Sequence, residues 1–144
     1  MNLVEKSKQA SEVFYSHLEL FKAKNLKEWI NLWSDDAVAE FPYAISGSDI
    51  PSRIEGKSAI FDFFKEASKD VEFFAWIDCQ IYQTLDPETI FAEFQCEGKV
   101  VKTGRPYNQM YCCKVQLNDS NKIAFYKEYW NPMVVQEAFN MTNN

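Results

Sequence analysis

Apolar residues recur every three to four positions in the first half of the chain and every second position from residue 71 onward. That change of period predicts helices first and an antiparallel β-meander afterwards. Ala10, Phe14, Leu18 and Phe21 align on one face of a helix expected over residues 6–24, with His17 in the middle of the stripe. A second helix is expected over 26–33, burying Leu26, Trp29, Ile30 and Trp33 behind an Asn25 N-cap. Asp35-Asp36 breaks the pattern, residues 37–43 read as extended, and a loop over 44–55 carries Gly47 and Pro51. A third helix follows Gly56, with Ile60, Phe61, Phe64 and Ala67 facing inward.

From Val71 the even spacing of Val71, Phe73, Ala75, Ile77, Cys79 and Ile81 predicts one buried strand face. A turn at Asp86-Pro87 leads into a strand alternating Ile90, Ala92, Phe94 and Cys96 with polar neighbours. Residues 105–117 and 122–130 read as the last two strands, and Pro132 suits the first turn of a short terminal helix. Helices covering one face of such a sheet form an α+β arrangement, expected to be a single domain over residues 1–144. Phe74, Trp76, Tyr82 and Phe91 fall on the opposite parity. An outer sheet face that aromatic predicts a homodimer.

Composition narrows the function. The 47% hydrophobic and 25% charged residues mark a globular chain. A net charge of −6 argues against nucleic acid, whose recognition needs a basic footprint. No apolar run reaches the ~20 residues of a membrane span. With no secretory signal pattern at the start of the sequence, the expected address is the cytoplasm. Cys79, Cys96, Cys112 and Cys113 sit in strand-like segments without metal-ligand spacing. One histidine cannot complete a usual zinc set, so no metal and no cofactor is expected. Aromatics at 16% suit a protein that encloses an apolar ligand.

The order of elements, together with Ile54-Glu55-Gly56-Lys57, Gly104-Arg105-Pro106-Tyr107 and Glu128-Tyr129-Trp130-Asn131-Pro132, resembles the nuclear-transport-factor-2-like superfamily. Within it the chain is most similar to the SnoaL-like polyketide cyclases and phenazine biosynthesis A/B proteins, relatives of ketosteroid isomerase. The resemblance implies a cone-shaped, cystatin-like α+β fold, in which a curved antiparallel sheet wraps three N-terminal helices around a central cavity. It also implies a dimer. The superfamily holds isomerases, cyclases and proteins without catalytic activity, so the site must decide the function.

By the same resemblance an acidic residue stands inside the cavity on the final strand, which makes Glu128 the first catalytic candidate. Strand parity by itself sets Glu128 opposite Ile123, Phe125 and Tyr129, free to pair with Lys127 or Arg105. One bulged residue would turn it inward. His17 is the second catalytic candidate, because ketosteroid isomerase relatives place ligand contacts on the first helix. A lone histidine on an apolar helix face is also the mark of a hydrogen-bonded core residue. Where the phenazine proteins carry a cavity histidine on the third helix, this chain has Phe63, a departure from their pattern. Tyr107, Gln109 and Tyr111 match a Tyr-x-Asn pattern of the family, with Gln109 in the amide position. Trp33, Phe41, Tyr43, Tyr126 and Trp130 complete the expected ligand-binding wall by analogy. Asp35-Asp36 reads as a turn or cap, and Asp78 and Glu93 as solvated.

Two functions remain open at this level. One is an acid–base enzyme of isomerase, cyclase or condensation-assisting type acting on a small apolar carbonyl or polycyclic compound. The other is a non-catalytic ligand-binding or dimeric interaction module.

Overall fold

The computed structural model describes residues 2–140. Helix α1 (Leu3–Lys22) opens with a reciprocal cap: Asn2 Oδ1 accepts from the Glu5 N–H at 2.9 Å while Glu5 accepts from the Asn2 N–H at 3.2 Å. Two orphan donors of the first turn are thereby satisfied. Ala10, Val13, Phe14, His17, Leu18 and Phe21 are its buried face. Lys24, at φ +59°, then turns the chain sharply into α2 (Leu26–Trp29). The second helix is shorter than the spacing predicts. After one α-turn capped by Asn25 it tightens into a 3₁₀ turn at Ile30–Leu32, and Trp33 already begins β1 (Trp33–Glu40). Asp35 and Asp36 are exposed positions within that strand.

A short strand that the residue pattern does not announce, β2 (Arg53–Glu55), pairs with β1. Arg53 ties the two together by reaching Glu40 at 2.6 Å. Helix α3 (Lys57–Asp70) follows Gly56, whose φ of +94° few other residues adopt. The meander comprises β3 (Val71–Gln83), β4 (Thr89–Val100), β5 (Met110–Leu117) and β6 (Ile123–Trp130). Helix α4 (Pro132–Phe139) closes the described chain, with Asn131 as its N-cap.

The six strands form one sheet in the order β2-β1-β6-β5-β4-β3. All neighbours are antiparallel except β1 and β6, which run parallel. Helices α1 and α3 pack into its concave side, and the core gathers between them around Phe14, Trp29, Trp33, Phe41, Ile60 and Tyr126. The third meander strand is also shorter than expected. Residues 105–109 instead lie beside β4 through single bonds such as Tyr107 N–H to Gly98 O at 2.8 Å. Gly98 permits the crowding there, since a Cβ would meet the Glu72 carbonyl oxygen at 2.5 Å.

Three bulges decide which side chains face the core. In β3, Phe74 is the extra residue between the pairs Phe73–Gly98 and Ala75–Glu97. Beyond it the parity reverses, so Trp76 turns inward and stacks on Phe73 at 5.0 Å. This corrects the expectation that Trp76 lies on the outer face. A second bulge at Asp78 and Cys79, opposite the lone Phe94, restores Cys79 and Ile81 to the core. Asp78 adopts φ +52°, a conformation asparagine and aspartate tolerate better than most residues. In β6, Ala124 is the extra residue between Leu117–Ile123 and Gln116–Phe125.

Candidate functional site

The bulge at Ala124 places Tyr126, Glu128 and Trp130 on the concave side, where all three border a cavity of about 530 Å³. Such a volume accommodates a drug-sized ligand. Leu18 and Phe21 of α1 wall one side, with Phe63 and Phe64 of α3 on another. Phe73, Trp76, Phe94, Tyr107 and Tyr111 contribute from the strands and the segment leading into β5. Ser48, Asp49 and Ile50 of the loop and Val135 and Phe139 of α4 complete the lining.

From the core to the cavity wall a directed chain of hydrogen bonds ends on Glu128. Trp29 Nε1–H donates to His17 Nδ1 at 2.9 Å. An indole nitrogen only donates, so Nδ1 must accept and the ring proton of neutral His17 sits on Nε2. Nε2–H in turn donates to the Tyr126 hydroxyl at 3.2 Å. That leaves the single Tyr126 proton for Glu128 Oε2, 2.5 Å away. The Cys113 thiol lies 3.1 Å from the Tyr126 oxygen and 3.7 Å from Glu128 Oε2.

The electrostatics arise from burial. Desolvation pushes the Glu128 carboxyl up to about 7, against the opposing hydrogen bonds from Tyr126 and Cys113. Desolvation lowers His17 to about 3, which keeps the imidazole neutral. Tyr126 and Cys113 are held well above their ordinary values, first by burial, so both remain protonated donors. Among the described residues nothing bonds Glu128 Oε1. Because Tyr126 occupies Oε2, the acid form carries its proton on Oε1 and the base form accepts there.

The expected residues divide. Glu128, His17, Phe41, Tyr107, Tyr111, Tyr126 and Trp130 all border the cavity. Three others do not. Gln109 is fully buried and joins β5 to the β6–α4 turn. Its Oε1 accepts from Met110 and Asn131 N–H, and its Nε2 donates to Asn131 O, each at 3.0 Å. Trp33 packs behind Tyr126 at 5.4 Å between ring centres. Tyr43 is exposed and lies against Tyr129 instead, because the loop carries it past the rim. Conversely, the Phe74 bulge, which no residue pattern signals, hides Trp76 from any reading by alternation. Phe94, stacked on Tyr111 at 5.0 Å, is legible in the sequence as core but not as cavity wall.

Cys96 and Cys113 are buried, Cys79 and Cys112 half-buried, and all four are unpaired thiols. Among the described residues no three His, Cys, Asp or Glu side chains converge as a metal site would require. None of their helices is long and apolar enough to cross a membrane.

Comparison with known proteins fits this geometry. The uncharacterised protein YesE of Bacillus subtilis is 41% identical over 137 residues, 95% of this chain and 91% of its own length. A candidate isomerase from Bacillus subtilis superposes with a TM-score of 0.88 at 42% identity, over 99% of this chain and 98% of that one. A Mycobacterium tuberculosis protein in complex with estradiol-17beta-hemisuccinate shares the fold at 18% identity, with a TM-score of 0.71 over 88% of this chain and 96% of that one. The SnoaL-like domain family matches residues 14–126, which include the C-terminal part of α1, all of α3, the first strands of the meander and Tyr126. With that match and the curved, unclosed six-stranded sheet around a cavity, the chain belongs to the SnoaL-like domain family of the nuclear-transport-factor-2-like superfamily.

Proposed function

We propose that this protein binds a small, mostly apolar carbonyl-bearing or polycyclic molecule in the cavity, and that Glu128 moves a proton on it, as an isomerase or cyclase requires. The observation that carries the reading is Glu128 itself: a carboxyl bordering an aromatic cavity, pushed up to about 7, with Oε1 unengaged among the described residues. A carboxyl near neutrality exchanges protons in both directions at working pH, a contribution of roughly 10²–10⁴ in rate for a well-placed group. His17 enters as a positioning residue. Its neutral ring is fixed by Trp29 and directs the Tyr126 proton to Glu128. The Tyr111 hydroxyl donates to that of Tyr107 at 3.4 Å, which leaves the Tyr107 proton as a further donor to a ligand oxygen. The likeness to a candidate isomerase and to a fold neighbour holding a steroid derivative supports this class of ligand.

The second reading, a binding module without turnover, draws support from Phe63. That ring lines the cavity and packs on Phe41 at 5.4 Å, where the phenazine-type resemblance would require a histidine. A thermal-shift screen with small aromatic ketones and steroids on wild type and Glu128→Gln separates the two. A bound ligand raises the stability of the folded state by about 2.7 kcal/mol at a hundredfold excess over Kd. Acid–base catalysis predicts that the compound which shifts wild type is turned over by it and not by Glu128→Gln, whose fold is retained. Equal turnover by both proteins would contradict the role of Glu128. Binding without turnover by either would favour the module.

The assembly belongs to the same proposal. Phe74, Tyr82 and Phe91 stay on the outer sheet face at 57%, 49% and 37% exposure, and they support a homodimer formed there. Sedimentation is expected to give twice the 16.8 kDa chain mass, falling to the monomer in Phe74→Asp/Tyr82→Asp. A monomeric wild type would contradict it.

A further inference from the structure

Charge is distributed unevenly around the cavity, and this bears on which molecules it admits. Four carboxylates border it: Glu128 within, and Asp49, Glu66 and Asp70 as exposed side chains at the entrance. No lysine or arginine is among the lining residues. Among the described residues Lys69 pairs with one lining carboxylate, Glu66, at 3.2 Å, as two exposed side chains on one helix. A pair of that kind is screened and holds its partners loosely. The walls act in the same direction. Phe63, Phe73, Trp76 and Phe94 line the space with aromatic rings, and a ring's negative face attracts cations and repels anions. The rim is built from the loop and α3, and the wall from the sheet interior together with Phe63 of α3.

We infer that the cavity takes a cationic aromatic or polycyclic ligand, an amine that keeps its ammonium group toward the Asp49–Glu66–Asp70 entrance, and that it discriminates against carboxylates and phosphate esters of the same skeleton. The inference rests on the reading of the cavity as a ligand site. Its geometry is simple: an apolar body fills the aromatic interior, and the charged end remains where carboxylates and water meet it. An anionic end has no counter-charge in the lining at either depth.

The test is a calorimetric titration with three probes of one skeleton: anthracenylmethylamine, anthracenylmethanol and anthracenecarboxylic acid. Wild type is compared with Asp49→Asn/Glu66→Gln/Asp70→Asn at low and at physiological salt. The amine is expected to bind at least about tenfold more tightly than the carboxylic acid, with the alcohol between them, since several fixed charges near a partly desolvated site act together. The triple variant is expected to bring amine and acid to within about threefold, and added salt to narrow the gap in wild type but not in the variant. Tighter binding of the acid than of the amine, or a preference unchanged in the triple variant, would overturn the charge inference while leaving the cavity reading intact. If the neutral alcohol also fails to bind, the cavity reading falls, and the charge inference with it.

Discussion

At the scale of single residues, Glu128 and His17 are shifted in opposite directions by the same burial. The consequence is visible in stability. Glu128 is raised from 4.5 to about 7, so the folded state holds its proton more tightly than the unfolded chain does. Its contribution is fully present below pH 4.5 and is lost as pH rises through 7, about 3 kcal/mol in all. His17 is lowered from 6.5 to about 3, so its contribution is present above pH 6.5 and is lost as pH falls through 3. Between pH 4.5 and 6.5 the two slopes oppose each other, and this pair leaves wild-type stability nearly level. Glu128→Gln removes one slope. Urea unfolding of the variant is therefore expected to show stability rising by about 2 kcal/mol relative to wild type from pH 4.5 to 6.5. Parallel profiles would show that Glu128 titrates as an ordinary surface carboxylate.

Elements, rather than residues, determine which side chains meet in the cavity. The period-two pattern of β4 is legible in full, because Ile90, Ala92, Phe94 and Cys96 all face the core without interruption. In β3 the same kind of pattern misplaces Trp76, Ala75 and Ile77, because the Phe74 bulge inserts a residue that the alternation does not reveal. Glu128 shows the converse. Its parity points outward, and the Ala124 bulge is what turns it in. A bulge is set by pairing between strands and by sheet curvature, neither of which is written in one strand's own sequence. Gln109 resembles a ligand contact for a related reason. Its chemistry suits a pocket, but its three hydrogen bonds tie the start of β5 to the cap of α4. Gln109→Ala leaves Met110 and Asn131 backbone groups without those partners and is expected to cost about 2–4 kcal/mol in thermal or urea unfolding. A loss below about 0.5 kcal/mol would show that the clamp is dispensable.

For the molecule as a whole, the α+β order of helices and meander is readable from two hydrophobic periods, and the cone with its cavity from resemblance. Which aromatic rings fill the core and which border open space is not readable in this way. Trp33 and Trp130 are both expected on the ligand-binding wall, yet one packs behind Tyr126 and the other faces the cavity. The parallel pairing of β1 with β6 lies behind that difference, since it brings Trp33, Val38 and Ala39 alongside the strand that carries Tyr126. This architecture leaves one desolvated carboxyl at the end of a hydrogen-bond chain, with Oε1 unengaged among the described residues. The most direct measurement is a carbon NMR titration of the Glu128 carboxyl, assigned by its loss in Glu128→Gln, without and with anthracenylmethanol. The carboxyl is expected to titrate near 7 and to shift when the ligand fills the cavity. A midpoint near the ordinary 4.5, unmoved by ligand, would contradict the placement of a working proton carrier in this site.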